Sequence, residues 1–309
     1  MSRAAYLLPG QGAQAVGMGR AFYDRFPESQ DVYKRAATYL GFDVAALCFD
    51  GPQAALTKTE TCQPALFVTS LAAFAAFRAH AASWTPAGAA GLSLGELTAL
   101  AVAEAISLKD GCYLVQARAN AMAECAARNP GSMLAVIGLA PDAIQEICRE
   151  TGIVAANLNA PEQVVLSGPV QGIEQAEGLA KARGAKRTMR LDVAGAFHSP
   201  LMQAAADELR KALKRVSLAA PKFPVISNVT AQPVKSPEEI AELLVKQIVS
   251  PVLWEPSVRW LIRQGATTFV EFPPARALTG LLRRIDASVK GIAVDEPADF
   301  DKLSAAAPA

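Results

Sequence analysis

Histidine is scarce in this chain: 309 residues contain only two, His80 and His198. A His-rich metal centre is therefore excluded, and any imidazole base must be one of these two. The five cysteines, at positions 48, 62, 112, 125 and 148, are odd in number and never form C-x-x-C. That pattern disfavours a disulfide framework or a zinc knuckle and suits a reducing compartment. An excess of one charge is missing too: 30 Lys+Arg stand against 29 Asp+Glu, leaving +1. A nucleic-acid or anionic-membrane binder would usually show a basic surplus. With 51% hydrophobic and 19% charged residues, the composition is far from that of a disordered chain. Long apolar runs are absent, although mean hydropathy is +0.21. The longest, Ala65 to Phe77, lies between Pro64 and Arg78 and is interrupted by Thr69 and Ser70. A bilayer span needs about 20 apolar residues, so a buried core helix is expected. Ala4-Ala5-Tyr6-Leu7-Leu8 reads as a first strand and not as a signal peptide. A cytoplasmic protein is expected, or one of an organelle matrix if a transit segment has been removed.

What is present reads as α/β. The first strand ends at Pro9-Gly10-Gln11-Gly12, where glycines on both sides of Gln11 suggest a tight turn that lets backbone approach a ligand. Helical patterns follow to about Cys48, then a helix over about 63–82 leads to a turn at Trp84-Thr85-Pro86. A short strand, Ala87 to Leu92, meets Ser93 and a further apolar helix. Ser107 with Asp110 three residues on resembles a capping box and opens a helix to about Ala127. On that helix Leu114, Arg118 and Met122 share one face, so Arg118 sits in an apolar stripe where it needs a partner. From about Gly131 the order becomes strand, helix, strand, strand, helix, strand, ending with Lys186 to Val193; Asn159-Ala160-Pro161-Glu162 is read as the central turn. That order is the ferredoxin-like unit. The expected organisation is a large α/β domain over 1–128 and 195–309, with a ferredoxin-like βαββαβ subdomain inserted at 129–194. Ser199-Pro200 starts further helices, strands are expected at 224–228 and 268–271, and the tail from Ser304 is expected to fray.

Gly91-Leu92-Ser93-Leu94-Gly95 is G-x-S-x-G between a strand and a helix. A sharp turn there lifts the serine hydroxyl clear of the sheet, and an oxyanion gains the Leu94 N–H and the helix dipole. The alternative is an inert serine in a glycine-flanked turn. His198 precedes a helix start, a position that favours the neutral imidazole a general base needs; alone, it could equally be structural. His80 ends an Ala-rich helix, where the dipole accounts for it. Arg118, one helix and one turn after Ser93, matches a substrate carboxylate in planar, bidentate fashion. It could instead pair with Glu96 or Glu124. Gln11 could lend a second oxyanion amide, or merely end a strand. Gln247 and Asn228 are individually uninformative.

Taken in order, Pro9–Gly12, Gly91–Glu96, Gln116-Ala117-Arg118, Asn159, Phe197-His198-Ser199, Ser227-Asn228-Val229, Gln247 with Pro251-Val252, and Leu278–Leu281 resemble the malonyl-CoA:acyl carrier protein transacylase family. This family is related to the acyltransferase domains of polyketide and fatty acid synthases. The resemblance covers essentially the whole chain and implies that the large domain is hydrolase-like, with a short parallel sheet. It implies Ser93 as nucleophile, His198 as base, Arg118 on the malonyl carboxylate, the Gln11 and Leu94 amides as oxyanion hole, and Gln247 orienting His198 in place of a triad acid. Phe197, Asn159 and Asn228 would belong to the substrate site, with Phe197 favouring malonyl over methylmalonyl. Malonyl-CoA and holo acyl carrier protein are the implied partners, with no metal or other cofactor, no nucleic acid and no membrane; a monomer is expected. Leu92 stands where many members have His, Leu97 where Tyr is common, and Pro273-Pro274-Ala275 where Gly-Pro-Gly is usual.

Carrier proteins are generally acidic, so Lys181, Arg183, Lys186, Arg187 and Arg190, or Arg283 and Arg284, are candidate docking charges; each set could also be ordinary solvated charge. A trans-acting polyketide synthase acyltransferase is a close alternative. A hydrolase-type thioesterase is a more distant one, for which Asp192 lies between Ser93 and His198 in the required order. A non-catalytic scaffold is disfavoured by the intact Ser93, His198 and Arg118.

Overall fold

The computed structural model describes residues 3–80 and 86–304. The expected turn at Trp84-Thr85 and the tail beyond Ser304 lie outside them. The first strand, β1 (Arg3–Leu8), is apolar from Ala4 onward because both of its faces are covered there. Ala4, Tyr6 and Leu8 enter the larger core on one side of the sheet, and Ala5 and Leu7 enter a second core on the other. Five helices follow: α1 (Arg20–Arg25), α2 (Pro27–Leu40), α3 (Val44–Asp50), α4 (Gln53–Thr57) and α5 (Thr59–His80). By length and composition α5 could cross a bilayer, but 83% of its apolar window is buried within the fold. It packs against α2 and against two later helices.

Next come β2 (Pro86–Gly91), α6 (Gly95–Val102) and α7 (Leu108–Arg128). The Ser107 hydroxyl caps α7 by accepting from the Asp110 N–H at 3.0 Å, while it donates to the Asp110 carboxylate at 2.8 Å. Leu114, Arg118 and Met122 are all buried on its inner face. The small unit comprises β3 (Gly131–Ile137), α8 (Pro141–Thr151), β4 (Val154–Ala160), β5 (Gln163–Pro169), α9 (Val170–Ala182) and β6 (Arg187–Arg190). The chain then runs through a 3₁₀ turn at Pro200–Met202 into α10 (Gln203–Leu213), β7 (Val225–Ile226), α11 (Pro237–Gln247), α12 (Trp254–Arg263), β8 (Ala266–Glu271), α13 (Ala277–Ile285), β9 (Lys290–Ala293) and α14 (Phe300–Ser304).

Two sheets result. The larger is five-stranded and parallel, in the order β7-β2-β1-β8-β9. The smaller is antiparallel, in the order β4-β5-β3-β6, which is the ferredoxin-like connection, with α8 and α9 packed on its own core. The sheets meet where β4 reaches the large domain: Leu158 N–H donates to the Val252 carbonyl at 2.9 Å, and Val252 N–H to Ala156 at 2.8 Å. Open parallel sheets bind ligands beyond the carboxyl ends of their strands, and here β1 and β2 end side by side under the small sheet.

Three local differences from the sequence reading bear on the site. β6 stops at Arg190, opposite Leu134, although β3 runs on to Gly131, and one further bond follows, from Leu191 N–H to the Met133 carbonyl at 3.0 Å. The chain then leaves the sheet, and Leu191 and Val193 line the cavity described below. The hairpin between β4 and β5 is tighter than the expected turn, so Asn159 lies on β4, at an irregularity in register between Leu158 and Ala160. Edge strand β9, four residues that pair only with β8, was not expected.

Candidate active site

The nucleophile elbow follows from steric exclusion. Gly91 faces the backbone of Gly95, and Gly95 faces the Leu8 and Pro9 carbonyls, so a Cβ at either position would collide with backbone. Only glycine allows strand, turn and helix to pack so closely. Between them Ser93 takes a left-handed φ of 53°, a conformation that L-residues adopt only when their surroundings enforce it. Asn228 supplies that enforcement. Its Oδ1 accepts the Ser93 N–H at 2.8 Å, and its Nδ2 donates to the Gly91 carbonyl at 2.8 Å. Asn228 is fully buried and does not line the cavity. Its place is therefore behind the elbow, not in the substrate site where the resemblance had put it.

His198, also at positive φ (58°), brings Nε2 to 2.7 Å from Ser93 Oγ. Its Nδ1 lies 2.8 Å from the backbone carbonyl of Gln247. A carbonyl only accepts, so Nδ1 carries the proton and Nε2 presents a lone pair to the serine. Burial, followed by the charge of Arg118, pushes the imidazole pKa down to about 4, while the carbonyls of Gln247 and Ser250 work the other way. The base is neutral because it is buried beside a cation; a helix dipole is not the main cause. Gln247 meets His198 through its main chain. Its side chain instead bonds Arg118, Glu96 and the Ser93 carbonyl. Asp192 has no part in the dyad, because the ring's second nitrogen is already occupied by Gln247.

Arg118 is 2% exposed and donates from Nη1 to Gln63 Oε1 at 2.6 Å. From Nη2 it donates to Gln247 Oε1 and Ser93 Oγ, both at 3.0 Å. Neither anticipated acid forms an ion pair with it: Glu124 bonds Arg128, and Glu96 bonds Gln247. Burial lowers the guanidinium pKa to about 10, with the Glu96 charge opposing, so it remains a cation at neutral pH. Burial raises the Glu96 carboxyl to about 7, against hydrogen bonds from Gln247 and Asn228 and the charge of Arg118. Gln63 and Glu96 were not singled out in the sequence as site residues. Glu96 closes the Gly91–Glu96 segment and was weighed only as a partner for Arg118, and the significance of both residues depends on packing between distant helices.

Ser93, His198 and Arg118 open on a cavity of about 150 Å³, walled in part by Gln11, Leu94, Phe197 and Asn159. The backbone N–H groups of Gln11 and Leu94 donate to no described residue. Both flank the serine, as donors to a developing oxyanion must. The Gln11 side chain turns aside to Thr59 Oγ1 at 3.4 Å. Asn159 Oδ1 is buried without a partner. A larger depression of about 430 Å³ between α10 and α11 has Arg210, Lys214, Glu242 and Lys246 on its wall and no nucleophile. His80 lies far from this chemistry, 3.5 Å from Glu28. Among the described residues no cluster of three or more His, Cys, Asp or Glu is placed to hold a metal. Of the candidate docking charges, Lys181, Arg183, Lys186 and Arg190 are each paired with a glutamate.

A serine whose proton can pass to a neutral imidazole, and whose oxygen accepts from a buried arginine, can carry an acyl group as an ester. With two unspent amides beside it, this geometry is that of a serine acyltransferase on a hydrolase-like α/β scaffold. The chain belongs to the acyl transferase domain family, which it matches over residues 5–296. It is 40% identical over 302 residues to the malonyl CoA-acyl carrier protein transacylase of Bacillus subtilis (strain 168), covering 96% of this chain and 95% of that protein. The malonyl-CoA:acyl carrier protein transacylase of Xanthomonas oryzae pv. oryzae superposes with a TM-score of 0.95 at 36% identity, covering 99% of this chain and 98% of the other. A malonyl-transacylase solved in complex with its holo type II polyketide synthase acyl carrier protein superposes at 0.96 with 35% identity, covering 99% and 100%.

Proposed function

We propose that this protein moves the malonyl group of malonyl-CoA to the phosphopantetheine thiol of holo acyl carrier protein, supplying fatty acid biosynthesis. The observation that carries this reading is Arg118. A buried cation 3.0 Å from the nucleophile, bonded only to neutral oxygens, is a site for an acyl group that ends in a carboxylate. An enzyme for plain acyl groups gains nothing from it.

The steps follow from the geometry. His198 Nε2 takes the Ser93 proton as Oγ attacks the thioester carbon. The oxyanion is met by the Gln11 and Leu94 amides, and coenzyme A leaves as the thiol after protonation by His198. The malonyl-Ser93 ester then meets the carrier's thiol. His198 removes the thiol proton, the thiolate attacks, and Ser93 recovers its proton. Arg118 holds the acyl group in register for both attacks. Phe197 in the cavity wall limits branching at the acyl α-carbon, which supports malonyl over methylmalonyl. A reducing compartment, the cytoplasm or an organelle matrix, suits five free cysteines; a monomer suffices for the site as built. Incubation with labelled malonyl-CoA should label holo carrier protein and leave the apo form unlabelled. Label released only as free malonate, at the same rate with or without carrier, would favour a thioesterase instead.

A further inference from the structure

Beside the nucleophile elbow, the reading of an acyl-transfer site leaves a buried carboxyl without a task. Glu96 is 1% exposed, in the first turn of α6 just behind the elbow. Its Oε2 accepts from Gln247 Nε2 at 2.5 Å and from the Asn228 backbone N–H at 3.1 Å. Those two residues are the anchors of the dyad. The Gln247 carbonyl holds His198 Nδ1, and Asn228 Oδ1 holds the Ser93 N–H.

The Gln247 amide is thus clamped between the Arg118 cation and the Glu96 carboxyl, an opposite charge when ionised. Its oxygen faces the Arg118 cation, and its nitrogen faces the Glu96 carboxylate. Turning the amide over would set N–H against guanidinium and oxygen against carboxylate, which are two repulsions in a low-dielectric interior. The same nitrogen also lies 3.0 Å from the Ser93 carbonyl. The Gln247 side chain is therefore anchored by a carboxylate that touches neither serine nor histidine, while the same residue's main-chain carbonyl fixes the imidazole tautomer.

We propose that Glu96 is a positioning residue for acyl transfer: through Gln247 and Asn228 its carboxylate holds His198 and Ser93 in their reactive arrangement. This inference rests on the acyl-transfer reading above. It assigns to a buried glutamate, one residue removed, the orienting part that a triad acid plays by direct contact. Both N–H groups meet Oε2, so Glu96→Gln keeps the size and can accept both on its amide oxygen; what it removes is the negative charge. Glu96→Asp keeps the charge but withdraws it by one methylene.

Rapid-quench intact-mass measurement of malonyl-Ser93 formation, across malonyl-CoA concentrations, separates binding from the acylation rate. Wild-type protein is measured first; no adduct there would overturn the acyl-transfer reading itself. With wild type acylating, Glu96→Gln is expected to lower the acylation rate constant by about tenfold or more, as loss of a charged hydrogen bond in the network implies. Half-saturation for malonyl-CoA should stay within about threefold, because Arg118 remains in place. Glu96→Asp should fall between the two. A folded Glu96→Gln with the wild-type rate constant would overturn the proposal. So would a loss confined to malonyl-CoA binding, which would make Glu96 only a counter-charge for Arg118. If Glu96→Gln does not fold, Glu96→Asp is judged by the same two constants.

Discussion

Replacing Arg118 with alanine separates the carboxylate role from a structural one, provided two substrates are compared. The side chain has two duties. It donates to Gln63 and Gln247, which keeps buried amide oxygens satisfied; leaving them unpaired costs about 1–3 kcal/mol each. That cost falls on every substrate alike. The second duty is toward a carboxylate held in the cavity, and only malonyl has one. Removing one partner of a buried ion pair costs about 3–5 kcal/mol. At about 1.4 kcal/mol per decade, kcat/KM for malonyl-CoA should fall by about 10²–10⁴ more than kcat/KM for acetyl-CoA. The assay is transfer to holo carrier protein from each thioester, using one preparation whose melting temperature is recorded alongside. Equal loss for the two thioesters would refute the carboxylate role and leave Arg118 as a structural cation.

Stability should carry the mark of His198. Its pKa falls from 6.5 to about 4 on folding, so between these values the unfolded chain takes up a proton that the folded one refuses. The stabilising contribution is complete above pH 6.5 and is lost as pH falls through the folded pKa, by about 3 kcal/mol. Glu96 acts in the opposite sense: raised from 4.5 to about 7, its contribution is present below 4.5 and is lost as pH rises through 7. The two nearly cancel in the whole protein. The comparison is therefore urea unfolding of wild type against His198→Gln, whose stability difference should shift in favour of wild type from pH 4 to 6.5; a constant difference would contradict the neutral buried imidazole. Phe197→Ala should raise kcat/KM for methylmalonyl-CoA relative to malonyl-CoA by about tenfold or more, the worth of relieving one crowded methyl. An unchanged ratio, or comparable use of both by wild type, would remove Phe197 from the specificity wall.

The elbow was legible in the sequence because its constraint is local: two glycines flanking Ser93 between an apolar strand and an apolar helix admit few other structures. Arg118 was legible for a similar reason, since helical spacing alone put it on a buried face with Leu114 and Met122. The βαββαβ order could be read from alternating patterns, although the end of β6 could not, because Leu191 and Val193 continue its alternation yet line the cavity. What lay beyond the sequence was the direction of side chains across the domain. Gln247 and Asn228 were in sight as residues of the site. Only packing shows that Gln247 meets His198 by its carbonyl, and that Asn228 stands behind the serine and away from the cavity. Glu96 sits two residues from Leu94, yet its effect passes through residues 132 and 151 positions away. Sequence spacing carries no trace of that.

The central claim is that acyl groups pass through Ser93, and intact mass after brief exposure to malonyl-CoA measures this directly. Wild-type protein should gain one malonyl unit, lose it on addition of holo carrier protein, and gain nothing when Ser93 is replaced by alanine. A folded wild-type protein that shows no adduct under rapid quench, or an adduct that persists in Ser93→Ala, would contradict it.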